Sequence, residues 1–268
     1  MTALTAAEQV LAGLGITDPS EIDLDAIAWT LGARVRYRPL DGCEARIVGN
    51  GARAVITVND RSPPRRQRFS VGHELGHWRH HRGRLLVCQA EDIGRGGEGR
   101  PVSERTADNF AAQLLMPGYL FDPIARSHPK LTFQAVRIIS DIFDTSLTST
   151  AIRLAESRHT PAVLVCHGPR GRKWFVRSPD VPDRWFPRDN LDPESFAFGV
   201  LFGGAQDDRT PRKIGADAWF DRWEAERYEV LEQTASIGLD EILTFILVTD
   251  GDMLDDYDRA RRTEGRRR

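Results

Sequence analysis

His73-Glu74-Leu75-Gly76-His77 sets two histidines four residues apart with a glutamate between them. On a helix, residues at i and i+4 stack on one face. Two imidazoles so placed can reach one Zn²⁺ through their ring nitrogens, and Glu74 lies near the metal's open side, where it could take a proton from a water. The flanks read as one long helix. Ser62-Pro63-Pro64 has the pattern of an N-cap followed by proline in the first turn, no breaker intervenes from Arg65 to His81, and Gly83 is the expected stop. Phe69, Gly72, His73, Gly76, His77 and His80 recur at helical spacing and mark the inward face. A rigid helix cannot curl His80 or His81 round to the same ion. The longer motif His-Glu-x-x-His-x-x-Gly-x-x-His is excluded, because the positions where it needs glycine and histidine hold His80 and Gly83. The third ligand must therefore come from another element.

A carboxylate is the usual choice, and the best candidate lies between Pro101 and Pro117. Ser103 reads as an N-cap, and Pro117 ends the run. Ala107, Phe110, Ala111, Leu114 and Leu115 form an apolar stripe at helical spacing. Glu104 and Asp108 fall four apart on its edge, where both can face inward. An acid on a buried face needs a partner, and a cation is the natural one. With Glu104 as metal ligand and Asp108 accepting a hydrogen bond from a ligand histidine's second ring nitrogen, both acids are satisfied. The competing reading makes Glu104 only a favourable acid at a helix N-terminus.

The run Arg68-Phe69-Ser70-Val71-Gly72-His73-Glu74-Leu75-Gly76-His77, followed by Glu104-x-x-Ala107-Asp108-x-Phe110-Ala111-x-x-Leu114-Leu115-Met116-Pro117, resembles the ImmA/IrrE family of metallopeptidases over roughly residues 20 to 155. The resemblance implies a zincin-like domain in which His73, His77 and Glu104 bind zinc and Glu74 is the catalytic acid/base. It also implies a substrate, a helix-turn-helix transcriptional repressor whose cleavage would derepress stress-response or mobile-element genes. Mn²⁺ or Fe²⁺ could occupy the same ligand set. A different class of function stays open: a non-proteolytic regulator that uses a peptidase-like scaffold to bind DNA or a repressor. The expected fold class is α+β. A mostly helical peptidase domain with a small sheet would span 1–158, and a C-terminal α+β domain with a mostly antiparallel sheet, of sensory type in some relatives, 159–258. A basic, disordered end would follow over 259–268.

Before the metal helix the pattern predicts a helix over 21–31 stopped at Gly32 and a strand over Ala33–Tyr37. A hairpin follows, with strands Cys43–Val48 and Ala54–Val58 joined at Asn50-Gly51. In zincin-like folds an edge strand beside the metal helix pairs with extended substrate. Cys43, Glu44, Ala45 and Arg46 are the candidates for that strand, unless the hairpin only supports the helix. Downstream, an amphipathic stretch from Leu131 to Phe143, the turn Asp144-Thr145-Ser146 and a helix over 147–155 form a helix-turn-helix-like pair within 131–156. Only Arg137 and Arg153 mark it for phosphate contact, and the same spacing suits helices that close the peptidase core. Beyond Pro161 the pattern turns to strands at 162–166, 174–176, 214–220, 228–237 and 242–248, with a short helix over 196–202. Tyr119, Arg126, His128 and Arg153 are unranked candidates for stabilising an oxyanion.

Net charge is −2, so no global basic field points to nucleic acid, and direct DNA binding is not expected. Cys43, Cys88 and Cys166 are an odd number at unrelated spacings, which argues against a disulfide framework. The first residues lack a basic stretch followed by an apolar core, and no apolar run is long enough to span a bilayer. The expectation is a cytoplasmic enzyme. The pattern carries no sign of oligomeric state.

Overall fold

The computed structural model describes residues 3–80 and 101–255. The Gly83 stop, His81, Cys88 and the basic end over 259–268 lie outside the described residues. The chain is α+β and divides into two compact units. One comprises Met1–Ser127 and Ile138–Ser149, the other His128–Arg137 and Thr150–Arg268. No helix among the described residues is long and apolar enough to cross a membrane.

The first unit opens with α1 (Ala6–Gly13) and α2 (Leu24–Thr30). Asp23 caps α2 by accepting from the Asp25 and Ala26 amides, so the helix expected over 21–31 starts later and a short 3-10 turn at Pro19–Glu21 precedes it. Gly32 takes the left-handed conformation (φ 82°) just past the end, a conformation costly for any other residue. Three strands follow: β1 (Ala33–Arg38), β2 (Ala45–Asn50) and β3 (Arg53–Asn59). β2 and β3 form the hairpin at Asn50-Gly51, whereas β1 pairs parallel to β3, giving the order β1-β3-β2. Cys43 and Glu44 precede β2 rather than belonging to it. On the inner face Ala33, Ala45, Ala54, Ile47, Ile56 and Val58 are buried.

The metal-motif helix, α3 (Pro64–His80), crosses this face. Val71, Leu75 and Trp78 enter the sheet's core, and full burial of such a side chain stabilises by about 1.5–3 kcal/mol. The Trp78 indole N–H donates to the Leu31 carbonyl at 2.8 Å. The Ser62 hydroxyl donates to Glu44 Oε2 at 2.6 Å, a charge-assisted bond, instead of accepting from the helix amides as the expected cap would. On the other side lies α4 (Val102–Leu115), with Phe110 and Leu114 in the same core. Its cap position is Pro101, not Ser103, because the proline's fixed backbone starts the helix two residues earlier. Pro117 ends the run and caps α5 (Gly118–Arg126).

The chain passes between the units within α6 (Phe133–Phe143) and α7 (Leu147–Glu156). The second unit is built on an antiparallel sheet of order β5-β4-β8-β7-β6: β4 (Ala162–Gly168), β5 (Gly171–Arg177), β6 (Arg212–Gly215), β7 (Glu229–Ser236) and β8 (Ile242–Leu247). A seven-residue helix, α8 (Phe196–Phe202), packs on β7 and β8. The strand expected over 214–220 stops at Gly215. Ile214, Ala216, Ala218 and Phe220 alternate as in a strand, but the Trp219 and Phe220 amides turn back to the Ala216 carbonyl and close a 3-10 turn. Four tryptophans fall in this unit, and Trp185 and Trp219 are buried core. The buried Glu232 carboxylate holds α8 in place, accepting from the Ala197 amide at 2.6 Å and the Trp219 indole at 2.9 Å.

Candidate metal centre

From Ser70 to Trp78 every residue of α3 is buried. The helix achieves this with three different rows. One row is apolar and faces the sheet; a second, Gly72 and Gly76, faces α4; the third carries His73, Glu74 and His77. The glycine row sets the distance to α4. A Cβ on Gly76 would lie 2.8 Å from Ala107 Cα and 3.0 Å from its carbonyl oxygen, and one on Gly72 would lie 3.2 Å from Ala111 Cβ. Glycine opposite alanine lets the two helix backbones approach, and that approach carries Glu104 to the histidines.

His73 Nε2 and His77 Nε2 are 3.0 Å apart, with the rings edge-to-face at 79°. Glu104 Oε2 is 3.2 Å from His73 Nε2, and Oε1 is 3.3 Å from His77 Nε2. His73 Nδ1 is 2.8 Å from Asp108 Oδ1. A carboxylate can only accept, so Nδ1 carries the hydrogen and Nε2 is left with a lone pair. Two ring nitrogens and two carboxylate oxygens thus converge in a buried space. A tetrahedral ion at 2.0–2.1 Å from its ligands separates them by roughly 3.3–3.4 Å. The donor set and its spacing fit a metal ion, and His73, His77 and Glu104 form the group among the described residues that could hold one.

Glu74 is fully buried and follows His73 on the same helix. Cys43, just before β2, is half-buried. Burial raises its thiol pKa, Arg46 opposes the rise, and the Glu74 carboxylate adds to it. Of the other proposed substrate-strand residues, Ala45 is buried against the core, Arg46 is exposed, and Glu44 is engaged by Ser62. β2 is an edge strand of its sheet.

Other candidates are held elsewhere. His80 is exposed and packs edge-on against Phe110. Tyr119 donates its hydroxyl to the Ile16 carbonyl at 2.9 Å. Arg126 is exposed, and His128 and Arg153 belong to the second unit. The turn of the helix-turn-helix-like pair is tied to α3. Arg65 reaches Asp141 at 2.6 Å and Asp144 at 3.2 Å, Arg68 reaches Asp144 at 3.3 Å, and Asp144 has φ 48°. Arg137 pairs with Asp207 at 3.5 Å. Sequence reasoning missed the Gly72/Gly76 and Ala107/Ala111 seam, although small residues four apart on two neighbouring helices were there to be read.

A buried helix carrying His73, Glu74 and His77, met by a glutamate from a second helix, fits the metal site of a zincin-like domain. Residues 28–154, just under half of the chain, match the Peptidase_M78 family model, described as the IrrE N-terminal-like domain. The solved structure of a Mycobacterium tuberculosis transcriptional regulator is similar, with TM-score 0.59 and 16% identity over 93% of this chain and 77% of that one. At that identity the likeness concerns the fold. No curated protein matches the chain.

Proposed function

We propose that this chain is a metal-dependent endopeptidase. The observation that carries the reading is the convergence of His73, His77 and Glu104 at 3.0–3.3 Å, with the His73 tautomer set by Asp108. Zinc suits a His₂Glu set best. Bound there, it would supply Lewis acidity to a water and to a peptide carbonyl. Glu74 takes the proton from the attacking water as the new C–O bond forms, then returns it to the leaving nitrogen as the C–N bond breaks. Asp108 holds His73 in the ligating tautomer. Cytoplasmic residence and a helix-turn-helix repressor as substrate belong to the same proposal, on the ground of the family resemblance.

The similar structure is named a transcriptional regulator, and that name favours a second reading, in which the fold acts by binding alone. One pair of variants separates the two. Glu74→Gln is expected to keep stoichiometric metal and lose about 10²- to 10⁴-fold in hydrolysis of a helix-turn-helix repressor. His77→Ala is expected to lose both metal and hydrolysis. Metal analysis and a cleavage assay check this. Full regulatory output from Glu74→Gln in cells would favour binding alone.

A further inference from the structure

The outer face of the three-stranded sheet, turned away from α3, is lined with arginine. Arg34, Arg36 and Arg38 share this face on β1 because strand side chains alternate. The pairing register extends it in rows: Arg34 beside Val55 and Val48, and Arg36 beside Thr57 and Arg46. Arg53, paired with Asn50, stands at the far end of β3. All five arginines are exposed, and no carboxylate lies on the face within the three strands. Among the described residues none of the five has an ion-pair partner. Glu44, the nearest acid along β2, accepts from Ser62 and lies 3.8 Å from Arg66. A chain of net charge −2 thus concentrates five arginines on one face of a three-stranded sheet.

We propose that this face binds the phosphate backbone of a nucleic-acid duplex. Charge complementarity calls for a polyanion, and guanidinium matches phosphate with paired hydrogen bonds. Alternate β1 residues advance by about 6.6 Å, close to the axial advance of two phosphates at about 3.4 Å each along one strand. A protein partner would call for buried aromatic or aliphatic anchors, and the face offers only Val48 and half-buried Val55. A single strand would call for aromatic platforms on which bases stack. Tyr37 is on the opposite parity and donates to Asp25. Phosphate contact of this kind carries no base-sequence preference. The assignment stands whether or not Glu74 hydrolyses peptides.

The test is fluorescence anisotropy with labelled 24-base-pair DNA duplexes of two unrelated sequences, an RNA duplex and a poly-glutamate peptide, from 50 to 300 mM salt. The full chain is expected to bind both DNA sequences alike, with log K falling steeply against log salt. Arg34→Gln/Arg36→Gln/Arg38→Gln is expected to weaken binding more than about tenfold and flatten the salt slope by roughly three. The off-face set Arg126→Gln/Arg170→Gln/Arg209→Gln, also exposed, is expected to leave both unchanged. Circular dichroism shows that the variants are folded. Preference between the DNA and RNA duplexes identifies the source of the phosphates, and binding to either supports the proposal. Absence of duplex binding at 50 mM salt, an unchanged slope in the β1 triple variant, or tighter binding of poly-glutamate overturns it.

Discussion

At the scale of single residues, the metal centre depends on which nitrogen of each imidazole faces inward. Asp108 settles this for His73 by holding Nδ1 at 2.8 Å. Removing such an outer partner generally costs 10- to 100-fold in metal affinity. Asp108→Ala is expected to weaken zinc by about that factor, measured by competition with a chromophoric chelator, while Asp108→Asn keeps an acceptor oxygen and recovers part of the loss. Equal affinity in Asp108→Ala and wild type would remove Asp108 from the site. This much was legible in the chain, because i and i+4 spacing on two helices is local information. His73 with His77, and Glu104 with Asp108, each need only one turn of helix to be placed on a common face. The partners that hold the discarded candidates are not local. The Ile16 carbonyl that takes the Tyr119 hydroxyl is about a hundred positions away, and no short pattern announces it.

Among elements, the seam between α3 and α4 decides whether the site exists. Gly76→Ala places a methyl 2.8 Å from the Ala107 backbone, which cannot yield as a side chain would. Overpacking of this kind costs about 1–3 kcal/mol, more than the roughly 1 kcal/mol gained in helix propensity. The expected outcome is lower stability together with weaker zinc, since Glu104 moves away with its helix. Gly72→Ala meets only Ala111 atoms at 3.2–3.3 Å and is expected to be near neutral; urea midpoints and zinc titration compare the two. The strands β1, β2 and β3 were readable from alternation, but the parallel partner of β1 was not. That pairing follows from where α2 and Gly32 release the chain, a geometric fact outside the reach of periodicity. The overlong reading at 214–220 fails for the opposite reason, since alternation persists through a turn where the backbone no longer runs extended.

For the molecule as a whole, acid sensitivity has a source far from the metal motif in sequence. His167 on β4 is buried in the second unit beside Trp219. Burial pushes its pKa from 6.5 down to about 4, the backbone carbonyls of Arg188 and Asp189 opposing and the Arg172 charge adding. A histidine held neutral in the folded state contributes its full stability above the unfolded pKa and loses it as pH falls from 6.5 toward 4. At pH 5 the loss is about 2 kcal/mol. His167→Gln removes the titrating group, so its urea midpoint is expected to fall less than that of wild type between pH 7 and 5. Parallel decline in the two proteins would assign the sensitivity elsewhere. The division of the chain inside α6 and α7 belongs to this scale too, and an amphipathic helix carries no mark in its sequence of where one unit hands over to the next.

The convergence of Glu104 on two histidines has one more physical meaning. Positions 77 and 104 are 27 apart in the chain, so an ion gripping both is a cross-link that closes a loop. Closing a loop of that size in the unfolded chain removes on the order of 3–4 kcal/mol of freedom, and chelation restores that freedom. EDTA is therefore expected to lower the melting temperature of the metal-loaded protein, and to do so far less in Glu104→Gln, where one end of the loop is already untied. Because the entropy of such a loop grows only with the logarithm of its length, residues can be added between the two helices at little thermodynamic cost, leaving the length of this connection open to change while the grip at its ends is kept.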